Sequence, residues 1–177
     1  MPQEQQSAYA FSTRQKVLGL TAIFAVYGTL SFYVQTFTVA RPKIVASLNG
    51  MDLYAQAASI PALAGAFITL IFGKFSDIYG RRIMLLISVI LVTAGAILAA
   101  VSQTIHFLIA ASVISSLGTG AMMPLVFAVV GDLFPPEKRG TWIGLLNIPT
   151  GVFAVIGPLL GGWWIDHYSW RYLYLMA

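Results

Sequence analysis

The chain is 177 residues long, 58% hydrophobic and only 9% charged, with a mean hydropathy of +0.82. A soluble domain carries roughly a quarter of its residues as charged, so this composition excludes a water-covered globule and points to lipid as the solvent. Cysteine is absent, which excludes a disulfide framework, a thiolate zinc cluster and a thiol nucleophile; the formal charge of +4 sits in the gaps between apolar runs and forms no basic stripe with interleaved aromatics, so nucleic acid is not expected as a partner.

A polar tail, 1–15, opens the chain. Apolar runs follow at 17–40, 53–72, 83–102, 107–131 and 142–165, each near the roughly 20 residues that a helix needs to cross a bilayer. A sixth run covers 172–177 and is cut off there. Residues 16–177 therefore read as five transmembrane helices and the start of a sixth, an incomplete N-terminal six-helix bundle. The expected fold class is an all-α membrane protein. The first run exceeds the about 7–15 residues of a signal-peptide core, and four more follow it, so it reads as a retained helix. Transmembrane strands alternate polar and apolar residues over about ten positions, whereas these runs are continuous. All six acids lie outside the runs or at their ends, so no carboxylate is expected near the bilayer centre.

With the N-terminus in the cytoplasm, Arg14, Lys16, Lys74, Arg81, Arg82, Lys138 and Arg139 fall inside, and Arg41, Lys43 and Arg171 outside. That asymmetry follows the positive-inside rule. A multi-pass protein of the plasma (inner) membrane is expected. Trp142, Trp163, Trp164 and Trp170 flank the fifth and sixth runs and read as interfacial anchors. Within the first helix the polar positions Tyr33 and Gln35 are candidates to line a cavity, because polar groups inside membrane spans tend to face the interior. Arg41, at the end of that run, reads as a side chain snorkelling to the outer interface, with attraction of an anionic substrate as the alternative.

Between the second and third runs stands Gly73-Lys-Phe-Ser-Asp77-Ile-Tyr-Gly80-Arg81-Arg82. Gly80 allows a turn with positive φ. Asp77 can cap the next helix or hold an arginine, and the arginines can fork onto a carboxylate. Asp132, at the same end of the fourth helix, is the natural partner. Tight-turn anchoring would explain the arginines alone, but not the whole Gly-x3-Asp-x2-Gly-Arg-Arg arrangement. This segment resembles the signature loop between helices two and three of the major facilitator superfamily. The resemblance implies a charged latch made by Gly73, Asp77, Gly80, Arg81 and Arg82 with Asp132, which stabilises one alternating-access state.

In the fourth run Ser112, Ser116, Gly120 and Pro124 recur every four residues, a small and weakly polar face. Ser112 and Ser116 are further cavity candidates. Gly118-Thr-Gly120-Ala-Met-Met-Pro124 resembles the fourth helix of the family's drug:proton antiporters. Their usual upstream arginine and glutamine are replaced by Ser112 and Ser115, and that arginine is implicated in proton coupling. Similarly, Thr38-Val-Ala40-Arg41-Pro42-Lys-Ile44 resembles the end of helix one in the 14-helix branch, with Tyr33 where an aspartate is common and Arg41 where a leucine is usual.

The fifth run holds Gly151, Gly157-Pro158 and Gly161-Gly162, with Asn147 as a last cavity candidate. Gly157 and Gly161 form a small-xxx-small pair for close helix approach, and Pro158 favours a kink. Gly-Pro-x-x-Gly-Gly resembles the helix-five motif of the antiporter branches and implies export. Finally, Gly-x3-Asp-x-Tyr-x2-Arg occurs twice, at Gly73–Arg82 and Gly162–Arg171, the relation expected of inverted three-helix repeats.

No phosphate loop is present, since Gly73-Lys74 is followed by Phe75. No nucleophile, base and orienter set can be assembled, so an enzyme is not expected. His106 and His167 stand alone and read as interfacial side chains, leaving no metal site or cofactor. The expected function is transport of an unspecified small molecule by alternating access, as multidrug or metabolite efflux by a proton-coupled antiporter, in partnership with the bilayer and a C-terminal helical bundle. The alternative is a non-transporting helical module that binds or regulates a full-length transporter.

Overall fold

The computed structural model describes residues 13–176. The tail expected over 1–15 lies outside the described residues except for its last positions, and Ala177 lies outside them too. The order is α1 Thr13–Ser47, a 3₁₀ turn Met51–Leu53, α2 Tyr54–Tyr79, α3 Arg81–Ala100, α4 Ile105–Leu133, α5 Pro136–His167 and α6 Trp170–Met176. Among the described residues there is no strand, and five helices are long and apolar enough to cross a membrane.

The helices run past the apolar segments. α1 continues through Pro42 to Ser47, and α5 begins at Pro136, a first-turn position where proline sacrifices no hydrogen bond. α2 continues through Gly73 and Asp77, so the segment read as a loop is the last part of a helix. Hydropathy marks where lipid stops, but the backbone keeps its ladder until something breaks it. The break is Gly80 alone, at φ 88° and ψ 143°, a region that residues with a Cβ hardly enter. Gly80→Ala should lower the unfolding free energy by about 1–3 kcal/mol, read as a lower midpoint in thermal unfolding of the detergent-solubilised protein. An unchanged midpoint would show that the turn carries no strain.

α4 packs centrally, against α2 and α3 on two sides, while α1 packs along α5. Glycine makes the α4 contacts possible. A methyl on Gly120 would overlap the backbone of Gly65 on α2, and one on Gly118 would sit 2.6 Å from the Ser88 carbonyl oxygen on α3. The Thr69 hydroxyl lies 2.8 Å from the carbonyl oxygens of both Gly65 and Gly120, stitching α2 to α4. Two buried clusters close the ends of the bundle. One joins Ile23, Tyr27, Val126, Val130, Phe134 and Leu146. The other, at the opposite end, includes Phe37, Ile44, Ala99, Leu108, Trp170 and Tyr174.

That second cluster corrects one expectation. Trp170 is 8% exposed and belongs to the core. It packs edge-on against Tyr174, with the Arg171 guanidinium 4.6 Å from its ring centre. Because only two residues separate α5 from α6, its first turn is drawn inward under α1 and α3. Leu63, Phe67 and Leu70 on α2, and Val152, Val155 and Leu159 on α5, instead point outward. They form apolar stripes that suit lipid or another helical bundle and not water.

Candidate functional site

The charged site is built where α2 hands over to α3. Positive φ at Gly80 reverses the chain within one residue and brings Arg81 back over the last turn of α2. Its guanidinium then forks. Nη1 lies 2.9 Å from Asp77 Oδ1 and donates to Ser76 Oγ at 2.7 Å. Nε donates to Asp132 Oδ2, at the end of α4, at 2.9 Å. Ser76 is buried and in turn donates to the Gly73 carbonyl. Asp77 thus holds the arginine and does not cap α3, whose N-cap, Gly80, makes no side-chain bond. Arg82 takes no part in an ion pair among the described residues; it borders an apolar recess beside Leu86 and Val89. Gly73 and Gly80 have open space around them, so what matters at Gly80 is its φ and not a close contact.

The electrostatics are informative. Arg81 is a cation at a helix N-terminus, and Asp132 an anion near a helix C-terminus. Each faces the end of the dipole that disfavours its charge, by about 0.3–1 kcal/mol at exposed sites. Pairing them across helices offsets both penalties. Arg139 completes the end of α4 by donating to the Gly131 and Phe134 carbonyls at 2.7 and 3.0 Å.

At the opposite end the repeated motif has a counterpart. Asp166, on α5, pairs with Lys43 on α1, and Arg171 Nη2 donates to the Ser102 carbonyl, just after α3, at 3.0 Å. In both copies the turn after a middle helix is tied by charge to the end of the helix beside it.

Of the five cavity candidates, Tyr33, Ser112 and Ser116 line one cavity of about 150 Å³ between α1, α2, α4 and α6. Gln35 lines a separate recess with Thr119, Met123 and Thr150. Asn147 borders neither. It is exposed, and its amide donates to the Ile143 carbonyl at 2.9 Å. The face of α5 that meets α1 runs through Leu146, Thr150, Phe153, Gly157 and Gly161, and Asn147 lies one position off that stripe. Among the lining residues not named as candidates are Ser115, whose hydroxyl lies 3.2 Å from that of Tyr33, and Tyr174; Arg41, read from the sequence as snorkelling or as attracting an anion, also faces the cavity.

In the helix-five motif the glycines divide. A methyl on Gly157 would stand 2.9 Å from Gln35 Cβ, and one on Gly161 2.8 Å from Thr36 Cγ2. Gly151 and Gly162 have nothing within 4 Å. α5 is continuous through Pro158. The seam also carries a Ser31–Thr150 hydroxyl contact at 3.1 Å.

Comparison with known proteins agrees with this architecture. The profile of the Major Facilitator Superfamily matches residues 16–177. Multidrug resistance protein 3 of Bacillus subtilis is 36% identical over 163 residues, which cover 92% of this chain and 31% of that protein. Efflux pump dotC of Dothistroma septosporum is 32% identical over 90% of this chain and 28% of its own length. Multidrug transporter protein MdtP of Bacillus subtilis is 33% identical over 76% of this chain and 25% of its own length. The chain thus spans under a third of the length of these relatives. Two of the three are named as an efflux pump and a transporter. With a family profile covering nearly all of it and five membrane-length helices in the expected order, this chain belongs to the major facilitator superfamily.

Proposed function

We propose that this chain forms the N-terminal helical bundle of a secondary transporter that exports small molecules by alternating access, with its N-terminus in the cytoplasm and its spans in the plasma membrane. The observation that carries this reading is the Arg81 fork, two half-exposed ion pairs of which one, to Asp77, closes the α2–α3 turn and the other, to Asp132, ties that turn to the end of α4. Such pairs are worth about 0–1 kcal/mol each. That is too little to hold a bundle together, yet enough to bias two conformations of similar energy. Relatives named as multidrug and efflux proteins support export. Their greater length supports a second bundle, opposite the apolar stripes of α2 and α5, as the partner with which a central path would form. Proton coupling is part of the proposal, with the titrating acid outside this chain, because the acids among the described residues sit at helix ends.

Topology is the direct test. Ser76 is buried under Arg81, so the neighbouring exposed Lys74 is the better probe. In a cysteine-free background of the intact protein, Lys74→Cys should react with an impermeant maleimide only from the cytoplasmic side, and Ser169→Cys only from outside. Reaction of both from one side would contradict the five-span arrangement.

A further inference from the structure

The cavity between α1, α2, α4 and α6 has a composition that the transport reading leaves unexplained. Its polar lining includes the hydroxyls of Tyr33, Ser112, Ser115, Ser116 and Tyr174, with Arg41 facing it, besides Thr38 and Thr119, whose hydroxyls donate to their own helix carbonyls. No carboxylate lines it, and Arg41 makes no ion pair among the described residues. The site therefore offers one uncompensated cation and several hydrogen-bond donors. The Tyr33 and Ser115 hydroxyls lie 3.2 Å apart, so one proton is shared between these two oxygens.

The tyrosines also bring aromatic surface: Phe37 lies between the tilted rings of Tyr33 and Tyr174, with ring centres 4.4 and 4.3 Å away. A volume of about 150 Å³ is that of an apolar cavity known to admit benzene. A planar guanidinium and hydroxyl donors match the two oxygens of a carboxylate, while the aromatic surface matches a flat apolar body.

We propose that this cavity binds a small aromatic monocarboxylate, or the corresponding part of a larger organic anion, and that Arg41 is the residue selecting for negative charge. This rests on the transport reading and names the substrate class within it. A lipid phosphate could also approach Arg41 from the bilayer, but a phospholipid has no group that fills a benzene-sized aromatic pocket.

The test uses the intact protein in phosphatidylcholine vesicles, with radiolabelled benzoate as the anionic probe and ethidium as a cationic control. Saturable benzoate binding is expected, with benzamide, its neutral isostere, at least tenfold weaker as a competitor than unlabelled benzoate. Arg41→Gln should weaken benzoate binding at least tenfold, whereas Arg41→Lys should retain most of the binding. Replacing a third of the lipid with phosphatidylglycerol should leave benzoate binding in place. The comparison of benzoate with benzamide needs no variant, so it stands even if Arg41→Gln fails to fold. Equal competition by benzamide, benzoate binding unchanged in a folded Arg41→Gln protein, or displacement by phosphatidylglycerol would each overturn the assignment. Ethidium flux without benzoate binding would overturn this inference alone. Absence of both would overturn the transport reading with it.

Discussion

Arg81→Gln is expected to cut the initial rate of substrate transport by about tenfold or more, while the amount of protein in the membrane stays the same. The magnitude follows from the geometry. Arg81 is shared between Asp77 and Asp132, and each half-exposed pair contributes at most about 1 kcal/mol. The sum, about 1–2 kcal/mol, is small against the stability of a membrane bundle. Against an equilibrium between two transport states it is a shift of roughly tenfold, since about 1.4 kcal/mol corresponds to a factor of ten. Asp132→Asn and Asp77→Asn should each give part of the effect. The exchange Arg81→Asp with Asp132→Arg should restore part of the rate, because it restores the α3–α4 pair and places both charges favourably on their helix dipoles. Wild-type rates in Arg81→Gln, measured with matched protein in vesicles, would remove this ion-pair fork from the mechanism.

Gly161→Val is expected to have the largest effect on the fold itself. The first added carbon already meets Thr36 Cγ2 at 2.8 Å and the Thr36 carbonyl oxygen at 3.0 Å, and the two further methyls have nowhere to go along a helix–helix seam. Overpacking a well-filled core costs about 1–3 kcal/mol. Here the obstacle includes backbone, so α1 and α5 must separate along the seam that runs from Gly28 against Phe153 to Lys43 against Asp166. The buried Thr36 hydroxyl, which has no hydrogen-bond partner within the described residues, shows that this seam has little slack for rearranging polar groups. We expect loss of a monodisperse peak in detergent, or a thermal midpoint lower by about 2–12 °C (about 2–4 °C per kcal/mol for a chain of this size). Gly162→Val and Gly151→Val, which meet open space, are the controls and should behave as wild type. Equal damage from all three would mean that helix propensity, and not the seam, is what valine disturbs.

Sequence and structure part company in an orderly way. Uninterrupted apolar runs locate the spans, because in lipid every backbone group must be satisfied within the segment. Where those runs end is a statement about solvent, so α2 carries on through Lys74, Ser76 and Asp77 although hydropathy has already fallen. Gly80 was readable, since a lone glycine between two helical patterns marks a change of φ sign. The cavity was only partly readable. Ser112 and Ser116 stand out by their four-residue spacing, but Ser115 and Tyr174 enter because α1 and α6 cross α4 at that height, which no local pattern encodes. Asn147 lies outside both recesses, exposed and with its amide bonded back to its own helix. Trp170, read as an interfacial anchor because it stands between two spans, packs into the core because the short α5–α6 turn carries it there.

The central claim is that this bundle works in a secondary exporter, and a flux measurement on the intact protein tests it most directly. Reconstituted in sealed vesicles with ethidium on one side and no nucleotide present, the protein should move the dye against its concentration gradient when a pH gradient is imposed. The movement should stop when an ionophore collapses that gradient. Uphill flux that requires ATP, or no saturable flux at all from folded and correctly inserted protein, would contradict it.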